Sequence, residues 1–311
     1  MTKILVTGAN GFVGSGLCAA LAERGINYVA AVRKSNGAGQ VTVGSLSANT
    51  DWTQALAGCD TVIHTAARVH VMQDTSDDPL TEFRLVNVEA TLNLARQAAN
   101  AGVRRFVFVS SIKVNGEETT DTPFRASDTP APRDPYGQSK LEAENVLFAL
   151  SRETGLEVTV VRPPLVYGLG VRANFHSLMK LVAKGVPMPL GSIHNRRSMV
   201  ALDNLVDLLI ACTTHPAAAG RVFLVSDNRD VGITELLRML ATAMGRRNVL
   251  LPVPARWIAI AARLLGKSAA ADRLLGSLQV DITSTCQTLS WQPVISMEKA
   301  LAKTAAPFRH T

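Results

Sequence analysis

A tyrosine and a lysine four residues apart, Tyr136 and Lys140, are the residues of this chain whose types and spacing best fit acid–base chemistry. The stretch YGQSKLEAENVLFALSRETG predicts a helix that starts near Tyr136 and ends at Gly155. Because side chains at i and i+4 share a helix face, the phenol and the ammonium would lie side by side. A neighbouring cation lowers the pKa of a tyrosine, as proton transfer near neutral pH requires. Ordinary solvated helices also carry such pairs, so other parts of the sequence must show whether this pair is functional.

A glycine-rich turn near the start of the chain indicates a phosphate-binding site. The apolar run at residues 3–7, KILVT, predicts a buried parallel strand, and a helical pattern begins directly after the turn. Glycines allow positive φ and a close approach to a pyrophosphate, which the N-terminus of the following helix favours. The spacing is G-x-x-G-x-x-G, and a tight structural turn is the alternative. The turn residues expected to contact a dinucleotide are Gly8, Asn10, Gly11, Phe12, Val13 and Gly14.

The end of the predicted second strand, residues 27–32, is followed by two cations, Arg33 and Lys34. Enzymes that use NAD commonly carry an Asp or Glu here, which hydrogen-bonds the ribose 2′-hydroxyl. Two basic side chains suit a 2′-phosphate instead. The pair therefore predicts a preference for NADP(H), with NAD(H) as the alternative cofactor. A solvent-facing basic pair without a ligand is the competing interpretation.

Two further strands complete the predicted cofactor site. Residues 41–46 predict a third strand that ends near the adenine, and a fourth strand begins at residue 61. Small residues after the fourth strand would let the backbone meet the cofactor. The contacts expected from these segments are Ser45, Leu46, Thr65, Ala66 and Ala67. His64 has no partner at metal-ligand spacing, and we interpret it as structural.

The elements that must position these residues alternate between strand and helix. They include a helix over residues 81–101, a fifth strand over 104–111 and a sixth over 157–161. This alternation is typical of an α/β fold with a doubly wound parallel (Rossmann) sheet. From about residue 170 the alternation fades, and helices follow around 203–214, 234–244, 255–265 and 297–304. We expect an NADP(H)-binding domain over 1–169 and a smaller C-terminal substrate-binding lobe over 170–311, with the 203–214 helix packing back on the first domain.

Composition excludes several classes of protein. The chain has 311 residues, of which 47% are hydrophobic and 18% charged, as in globular proteins. Its net charge of +7 comes without a run of like charges, which argues against a nucleic-acid tail and suits anionic small ligands. Four scattered cysteines show neither metal spacing nor a disulfide framework. Residues 257–265 are too short an apolar stretch to span a membrane. We expect a cytoplasmic protein with no metal, no nucleic-acid partner and no membrane insertion.

Five segments in order resemble the extended short-chain dehydrogenase/reductase family. They are TGANGFVG, HTAA, the serine at 111, YGQSK and RPPLVYG, and the resemblance covers essentially the whole chain. It implies that Ser111 hydrogen-bonds a substrate carbonyl, that Tyr136 transfers the proton, and that Lys140 lowers the tyrosine pKa and holds the nicotinamide ribose. Asn115 departs from the family's usual aromatic residue, which would alter the substrate pocket. We further expect Pro163 to contact the cofactor and the protein to form a homodimer.

Three reactions on nucleotide sugars are compatible with this family. The 4,6-dehydratases carry an acidic pair where this chain has Ile112 and Lys113, which excludes that reaction. The SSIKVNGE segment resembles bacterial NADPH-dependent 4-reductases of UDP-4-keto-6-deoxy-N-acetylhexosamines, which make N-acetyl-quinovosamine or N-acetyl-fucosamine donors in O-antigen synthesis. We place this reductase first, because of Arg33 and Lys34, and an NAD-dependent UDP-hexose or UDP-N-acetylhexosamine 4-epimerase second. A non-catalytic NADP sensor would not need Ser111, Tyr136 and Lys140.

The resemblance also implies residues that contact a UDP-sugar. Arg197, in RRSMVALDNL, matches the family's diphosphate-binding arginine, and Arg273 is a second candidate for the same group. Asn174 matches an asparagine near the phosphate or the sugar. Asn87 resembles an asparagine that is structural or part of a proton relay. The substrate-binding residues expected are Asn87, Lys113, Asn174, Arg197 and Arg273.

Overall fold

The computed structural model of the chain describes residues 2–35, 37, 39–69, 78–247, 249–266 and 268–309. These residues form ten strands. In chain order they are β1 (Ile4–Thr7), β2 (Tyr28–Val32), β3 (Gln40–Thr42), β4 (Thr61–His64), β5 (Arg105–Val109), β6 (Glu157–Arg162), β7 (Leu165–Tyr167), β8 (Arg197–Ala201), β9 (Arg221–Leu224) and β10 (Asp230–Val231).

The described residues also form twelve α-helices and a few shorter turns. The helices are α1 (Phe12–Glu23), α2 (Thr53–Leu56), α3 (Pro79–Arg84), α4 (Ala90–Asn100), α5 (Pro135–Thr154), α6 (Ala173–Ala183), α7 (Leu202–Thr214), α8 (Ile233–Met244), α9 (Ala255–Leu264), α10 (Ser268–Leu275), α11 (Thr283–Leu289) and α12 (Met297–Ala305). A π-helical turn (Leu85–Glu89) joins α3 to α4, and 3₁₀ turns occupy Ile112–Val114, Pro216–Ala218 and Ala306–Phe308.

Seven parallel strands form the main sheet in the order β3-β2-β1-β4-β5-β6-β9. The order reverses between β1 and β4, where Thr7 lies beside His64. In such sheets, ligands bind in the crevice outside the carboxyl ends of the strands at this reversal. The structure thus confirms the predicted α/β fold with a doubly wound parallel sheet.

Two cores lie on opposite faces of this sheet, because successive strand residues point to opposite sides. On β1, Ile4 and Val6 join the core that contains residues of α1 and α7. Leu5 between them joins the core that contains residues of α4 and α5. The helix at 202–214 therefore packs against the first part of the chain, as the sequence predicts, through its contacts with α1.

A smaller unit is built around the three-stranded sheet β10-β8-β7. Its core is formed largely by residues of α6, α8 and α12 together with Tyr167, Met199 and Val231. The strand β9 does not join this smaller sheet. It extends the main sheet by pairing with β6. The chain thus returns to the first unit after residue 170, and the division at 169/170 stays a proposal.

Several element predictions need correction. The helix expected over 81–101 contains the π-helical turn, and the third strand is limited to Gln40–Thr42. The sequence analysis missed β7, β8, β9, β10, α6, α10 and α11, since they lie in a region without clear alternation. Among the described residues no helix combines the length and apolarity that a membrane crossing requires.

Candidate active site

The turn from β1 into α1 forms a cradle with space only for glycine. Gly8 has φ +65°, and a Cβ there would lie 2.9 Å from Cα of Ala66. A Cβ on Gly14 would collide with the carbonyl of Gly8. Gly11 precedes the helix without a side chain to cap it, so the helix N-terminus is open to an anion. These residues fit the pyrophosphate of a dinucleotide, and Asn10, Phe12 and Val13 lie in the same turn.

Arg33 and Lys34 are exposed directly after β2. Neither forms an ion pair with another residue in the described part of the chain, so both cations remain available to a ligand. Ser45 is exposed and Leu46 half-buried in the segment after β3. Arg33 and Lys34 follow the carboxyl end of β2, and Ser45 and Leu46 follow that of the next strand, β3, so all four lie toward the same edge of the parallel sheet as the glycine turn.

The segment after β4 lies against the glycine turn. The Thr65 hydroxyl donates a hydrogen bond to the Thr7 carbonyl oxygen at 2.6 Å. Ala66 is the residue that a Cβ on Gly8 would strike, and Ala67 follows it half-buried. The structure therefore brings Thr65, Ala66 and Ala67 to the cradle.

The helix α5 carries Tyr136 and Lys140 and is fixed at both ends. Asp134 accepts a hydrogen bond from the backbone N–H of Gly137 at 2.7 Å, and Gly155 ends the helix with φ +77°. A Cβ on Gly137 would lie 2.9 Å from the carbonyl oxygen of Lys113, so the first turn of α5 packs closely on the segment that follows Ser111.

Lys140 points from α5 to the end of β5. Its ammonium donates to the carbonyl oxygen of Val109 at 2.9 Å and lies 4.4 Å from the centre of the Phe108 ring. Ser111 follows two residues after Val109 and is half-buried, and its hydroxyl accepts from the N–H of Lys113 at 3.3 Å. The structure thus places the Lys140 ammonium at the carboxyl end of β5, from which Ser111 follows, and Tyr136 lies in the first turn of the helix that carries Lys140.

Burial is the main influence on the pKa values of Lys140 and Tyr136. It lowers the pKa of Lys140 to about 7, and the opposing effect of Glu144 is smaller. Burial, and then the charge of Asp134, raises the pKa of Tyr136. The expectation that Lys140 lowers the tyrosine pKa is therefore wrong for this structure. The reason is that Tyr136 loses solvation beside Phe83, whose ring lies 5.9 Å away, while the lysine ammonium is bound to the β5 carbonyl.

A buried ion pair behind Lys140 was missed by the sequence analysis. Arg162 and Glu144 are 3% and 2% exposed, and two guanidinium nitrogens donate to the carboxylate at 3.0 and 2.5 Å. Glu144 also accepts from the Ser110 hydroxyl at 2.5 Å. Its position four residues after Lys140 was the available signal, but the sequence does not show that Arg162 faces it.

Asn115 completes this network. Its side-chain oxygen accepts from Arg162 at 2.9 Å, and its amide donates to the carbonyl oxygen of Arg125, also at 2.9 Å. The side chain is buried, so the departure from the family's aromatic residue serves the arginine rather than an open pocket.

Asn87 and His64 are held by protein contacts. The Asn87 amide donates to the Arg68 carbonyl oxygen and the Ser139 hydroxyl, both at 3.0 Å, and its oxygen accepts from the Arg68 N–H at 2.9 Å. These hydrogen bonds connect Asn87 to α5 and use both of its amide hydrogens, so neither is available to a substrate. His64 contacts the hydroxyls of Thr7 and Thr91 through its two ring nitrogens, at 2.7 and 3.0 Å.

The predicted substrate residues separate into two groups. The guanidinium of Arg197 donates to the carbonyl oxygens of Arg273 and Gly276 at 2.7 and 2.9 Å, and burial lowers its pKa. This contact lies at a cleft of about 370 Å³ lined by Arg256, Asp272 and Gly276, among others. The exposed Arg273 side chain lies in the same segment.

The other predicted site residues lie outside this cleft. Lys113 forms ion pairs with Asp134 and Glu117, so its charge is already compensated. Asn174 is exposed in the first turn of α6, and no contact in the described structure joins it to the cleft. Pro163 is buried and accepts from the Ile112 N–H at 3.0 Å, next to Ser111.

Two further observations limit the chemistry. Within the described residues, no group of three His, Cys, Asp or Glu side chains is arranged to hold a metal. A larger cleft of about 730 Å³ lies between the second half of α5 and β9, beside Phe148 and Val222. It contains none of the predicted site residues, so we locate the candidate site at the carboxyl ends of the strands.

Comparisons with known proteins agree with this geometry. The model of the NAD dependent epimerase/dehydratase family matches residues 4–226. The chain is 47% identical to a UDP-glucose 4-epimerase of Vibrio cholerae, over 98% of this chain and 95% of the relative. It is 30% identical to the N-acetyl-alpha-D-glucosaminyl-diphospho-ditrans,octacis-undecaprenol 4-epimerase of Escherichia coli O157:H7, over 81% and 76%. The structure of UDP-N-acetylglucosamine 4-epimerase from Bacillus cereus shares the fold, with a TM-score of 0.82, 21% identity and coverage of 99% and 100%.

Proposed function

The chain belongs to the NAD-dependent epimerase/dehydratase family, and from this premise we propose that it is a nucleotide-sugar 4-epimerase acting on a UDP-hexose or UDP-N-acetylhexosamine. The observation that carries the proposal is the 47% identity, over nearly the full length of both chains, to a protein named UDP-glucose 4-epimerase. We assign the chemistry that such a reaction needs to Ser111, which follows β5, and to Tyr136 and Lys140 on α5. The reductase that the sequence alone favoured becomes the second candidate.

Each of the three side chains has a defined task in this proposal. In its phenolate form Tyr136 takes the proton of the C4 hydroxyl and later returns it, while Ser111 hydrogen-bonds the same oxygen. A bound dinucleotide would supply the hydride chemistry at C4. Lys140, whose pKa is about 7, exchanges its proton close to physiological pH and can hold the nicotinamide ribose. Tyr136 has to lose its proton for the first step, although burial disfavours the phenolate.

The diphosphate of the substrate is assigned to the cleft beside Arg197. Arg197 contacts Gly276 at the edge of this cleft, and Arg256 lines it together with the carboxylates of Glu118 and Asp272. An arginine guanidinium offers two parallel donors to a phosphate, which orients the nucleotide as well as binding it. Asn174 remains a proposed contact to the phosphate or the sugar.

A 4-ketoreductase is retained because of Arg33 and Lys34. These exposed cations after β2 suit the 2′-phosphate of NADP(H), which a reductase would consume in each turnover. The corresponding activity is reduction of a UDP-4-keto-6-deoxy-N-acetylhexosamine to a precursor of surface polysaccharide (O-antigen). Its cofactor would be NADPH rather than NAD.

One experiment separates the two reactions. The purified protein is incubated with UDP-glucose, UDP-galactose and their N-acetyl forms, without added cofactor, and products are identified by NMR. An epimerase interconverts C4 epimers and carries dinucleotide through purification, since the hydride returns to the sugar. If the protein instead needs NADPH, oxidises one NADPH per UDP-4-keto sugar and leaves C4 epimers unchanged, the reductase is correct.

Cofactor preference is tested by replacing Arg33 with Asp and Lys34 with Ser. If both cations bind a 2′-phosphate, affinity for NADPH falls much more than affinity for NADH, because hydrogen bonds between charged groups contribute roughly 1.5–3 kcal/mol each. Arg152→Gln, at an exposed site on α5, serves as the control for loss of positive charge. Equal losses for both cofactors would rule out a 2′-phosphate contact.

A further inference from the structure

The helix α9 presents an apolar face that the protein does not cover. Trp257, Ile260, Leu264 and Leu265 are 57%, 51%, 82% and 72% exposed. The spacing of three and four residues places Trp257, Ile260 and Leu264 on one side of the helix, and Leu265 follows directly after its last residue. Ile258, on another side, packs against the core of the smaller unit. Thus α9 packs on the protein along one face and exposes another face to solvent.

The surroundings of this face carry an excess of positive charge, although the carboxylates of Glu118 and Asp272 line the cleft beside α9. Between Glu235 and Asp272 the sequence contains no acidic residue and six basic ones, which are Arg238, Arg246, Arg247, Arg256, Arg263 and Lys267. Of these, the five arginines are described, and none forms an ion pair with a described carboxylate. Some exposed cations elsewhere are compensated, as in the pairs Arg229–Glu235 and Lys303–Asp203. Charge repulsion therefore favours an anionic surface as the partner.

The apolar face extends beyond the helix itself. Val249 and Leu251 are each 46% exposed in the segment before α9. The backbone of this segment is fixed by hydrogen bonds between Met188 and Val249 and between Met188 and Leu251. Six of the thirteen exposed large hydrophobic side chains of the described residues lie between Val249 and Leu265. The exposed apolar residues between Val249 and Leu265 therefore include a segment whose backbone is held in place by hydrogen bonds.

We propose that α9, with the segment before it, docks this protein on the surface of an anionic lipid bilayer. A short helix with Trp and Leu on one face and arginines beside it is suited to lie in the plane of the interface. The Arg256 guanidinium carbon lies 5.9 Å from the centre of the Trp257 ring. The guanidinium can therefore stay on the aqueous side of the headgroup layer while the indole inserts into that layer. This inference concerns location and does not depend on the proposed reaction.

The exposed face adjoins the candidate substrate cleft. Arg256 and Ala259 line that cleft, and Ile260 lies one helical turn after Arg256 on α9. A bilayer seated on the exposed face would therefore lie at the edge of the cleft. A second copy of this chain is a less suitable occupant, since the arginines near this face outnumber the carboxylates of Glu118 and Asp272, and two such surfaces would repel each other.

Tryptophan fluorescence gives a direct test with the full-length protein. Trp52 and Trp291 are 0% and 6% exposed, so a change in environment reports mainly on Trp257. We expect a blue shift and co-sedimentation with phosphatidylcholine vesicles that contain phosphatidylglycerol. Neither change is expected with pure phosphatidylcholine, and added salt should weaken the binding. Trp257→Phe should remove the blue shift.

Matched variants test the two parts of the surface. Arg247→Gln with Arg263→Gln should weaken vesicle binding about thirtyfold, since each cation near an anionic surface contributes roughly a fivefold gain. Arg96→Gln with Arg152→Gln, at exposed sites on α4 and α5, should leave binding unchanged.

The apolar face is tested in the same way. Leu264→Ser should reduce binding about tenfold or more, whereas Val294→Ser, at a 58% exposed site elsewhere, should not. The thermal unfolding of each variant establishes that it is folded. The proposal is overturned if the wild-type protein does not bind the anionic vesicles. It is also overturned if light scattering shows an oligomer that Leu264→Ser dissociates, because a second copy would then cover α9.

Discussion

The ammonium of Lys140 donates to the Val109 carbonyl oxygen beneath the candidate site and is only 2% exposed as a residue. In that position the free energy of solvation lost by the charge lowers its pKa to about 7. Tyr136, four residues earlier on α5, responds to its own burial in the opposite direction, because burial disfavours phenolate as well as ammonium. The spacing thus predicts the pair, whereas the local environment of each side chain sets its proton affinity.

Tyr136→Phe tests the proton-transfer role directly. Only a hydroxyl is lost, so the fold and dinucleotide binding should persist while turnover falls roughly 10²–10⁴-fold, the usual contribution of a positioned acid–base group. Turnover, thermal unfolding and cofactor titration are measured together. Tyr28→Phe, in β2 and away from the site, is the control and should keep its activity. A folded Tyr136→Phe protein with near-normal turnover would contradict the assignment.

His64 predicts how the stability of the protein depends on pH. Burial, and then the charge of Lys140, holds its pKa at about 3 in the folded protein, against 6.5 as its ordinary value. Between these values the unfolded chain binds more protons, so the free energy of unfolding falls as the pH drops, by up to about 1.4 kcal/mol per pH unit. His64→Gln should be less stable overall but show a shallower slope between pH 6.5 and 4. Urea denaturation at several pH values measures this, and parallel curves for the two proteins would exclude the histidine as the cause.

At the scale of elements, the site depends on how α5 is joined to its neighbours. The π-helical turn Leu85–Glu89 directs Asn87 to Ser139 of α5, a type of local irregularity that often occurs at functional sites. From the other direction, Arg162 at the end of β6 binds Glu144 of α5. These contacts fix the helix on both sides of Lys140 and so determine where its ammonium lies.

Glu144→Gln should therefore destabilise the whole domain. Removal of one partner from a buried ion pair leaves Arg162 charged without its counterion, at a cost of about 3–5 kcal/mol. Glu235→Gln breaks an exposed pair with Arg229 and should leave the melting temperature nearly unchanged. Calorimetric or denaturant unfolding compares the two variants. If Glu144→Gln is as stable as Glu235→Gln, the buried pair does not hold α5 in place.

At the scale of the whole molecule, the chain does not divide cleanly in two. After the strand β7 it forms α6 and β8 of the smaller unit, then returns through α7 and β9 to the main sheet. The core beneath α1 includes Leu205, Leu209 and Phe223 from this returning segment. A homodimer stays a prediction, as does the boundary at 169/170.

A protein truncated to residues 1–169 tests the boundary. It would lack β9, so β6 would become an edge strand, and the apolar residues of α1 that pack on α7 would face water. We expect no cooperative unfolding transition by circular dichroism and an increase in binding of a hydrophobic dye, with the full-length chain as the control. A sharp transition in the truncated protein would show that 1–169 is an independent domain.

The sequence by itself determined the class of fold and the position of the site along the chain. Short apolar strands, the glycine turn from Gly8 to Gly14, and Tyr136 with Lys140 are local patterns, and local patterns are visible without a partner. The prediction of the long helix over 81–101 located Asn87 but not its π-helical turn, since that turn arises from contacts with the rest of the protein.

Only the tertiary structure decided the energetics of the site. Whether the pKa of Tyr136 rises or falls depends on how deeply α5 packs, and the pairing of Glu144 with Arg162 joins residues from different elements. The return of β9 to the sheet also depends on non-local hydrogen bonds, which four residues of sequence cannot specify. Solvation and long-range pairing are properties of three-dimensional neighbourhoods, so they lay beyond what the order of residues could reveal.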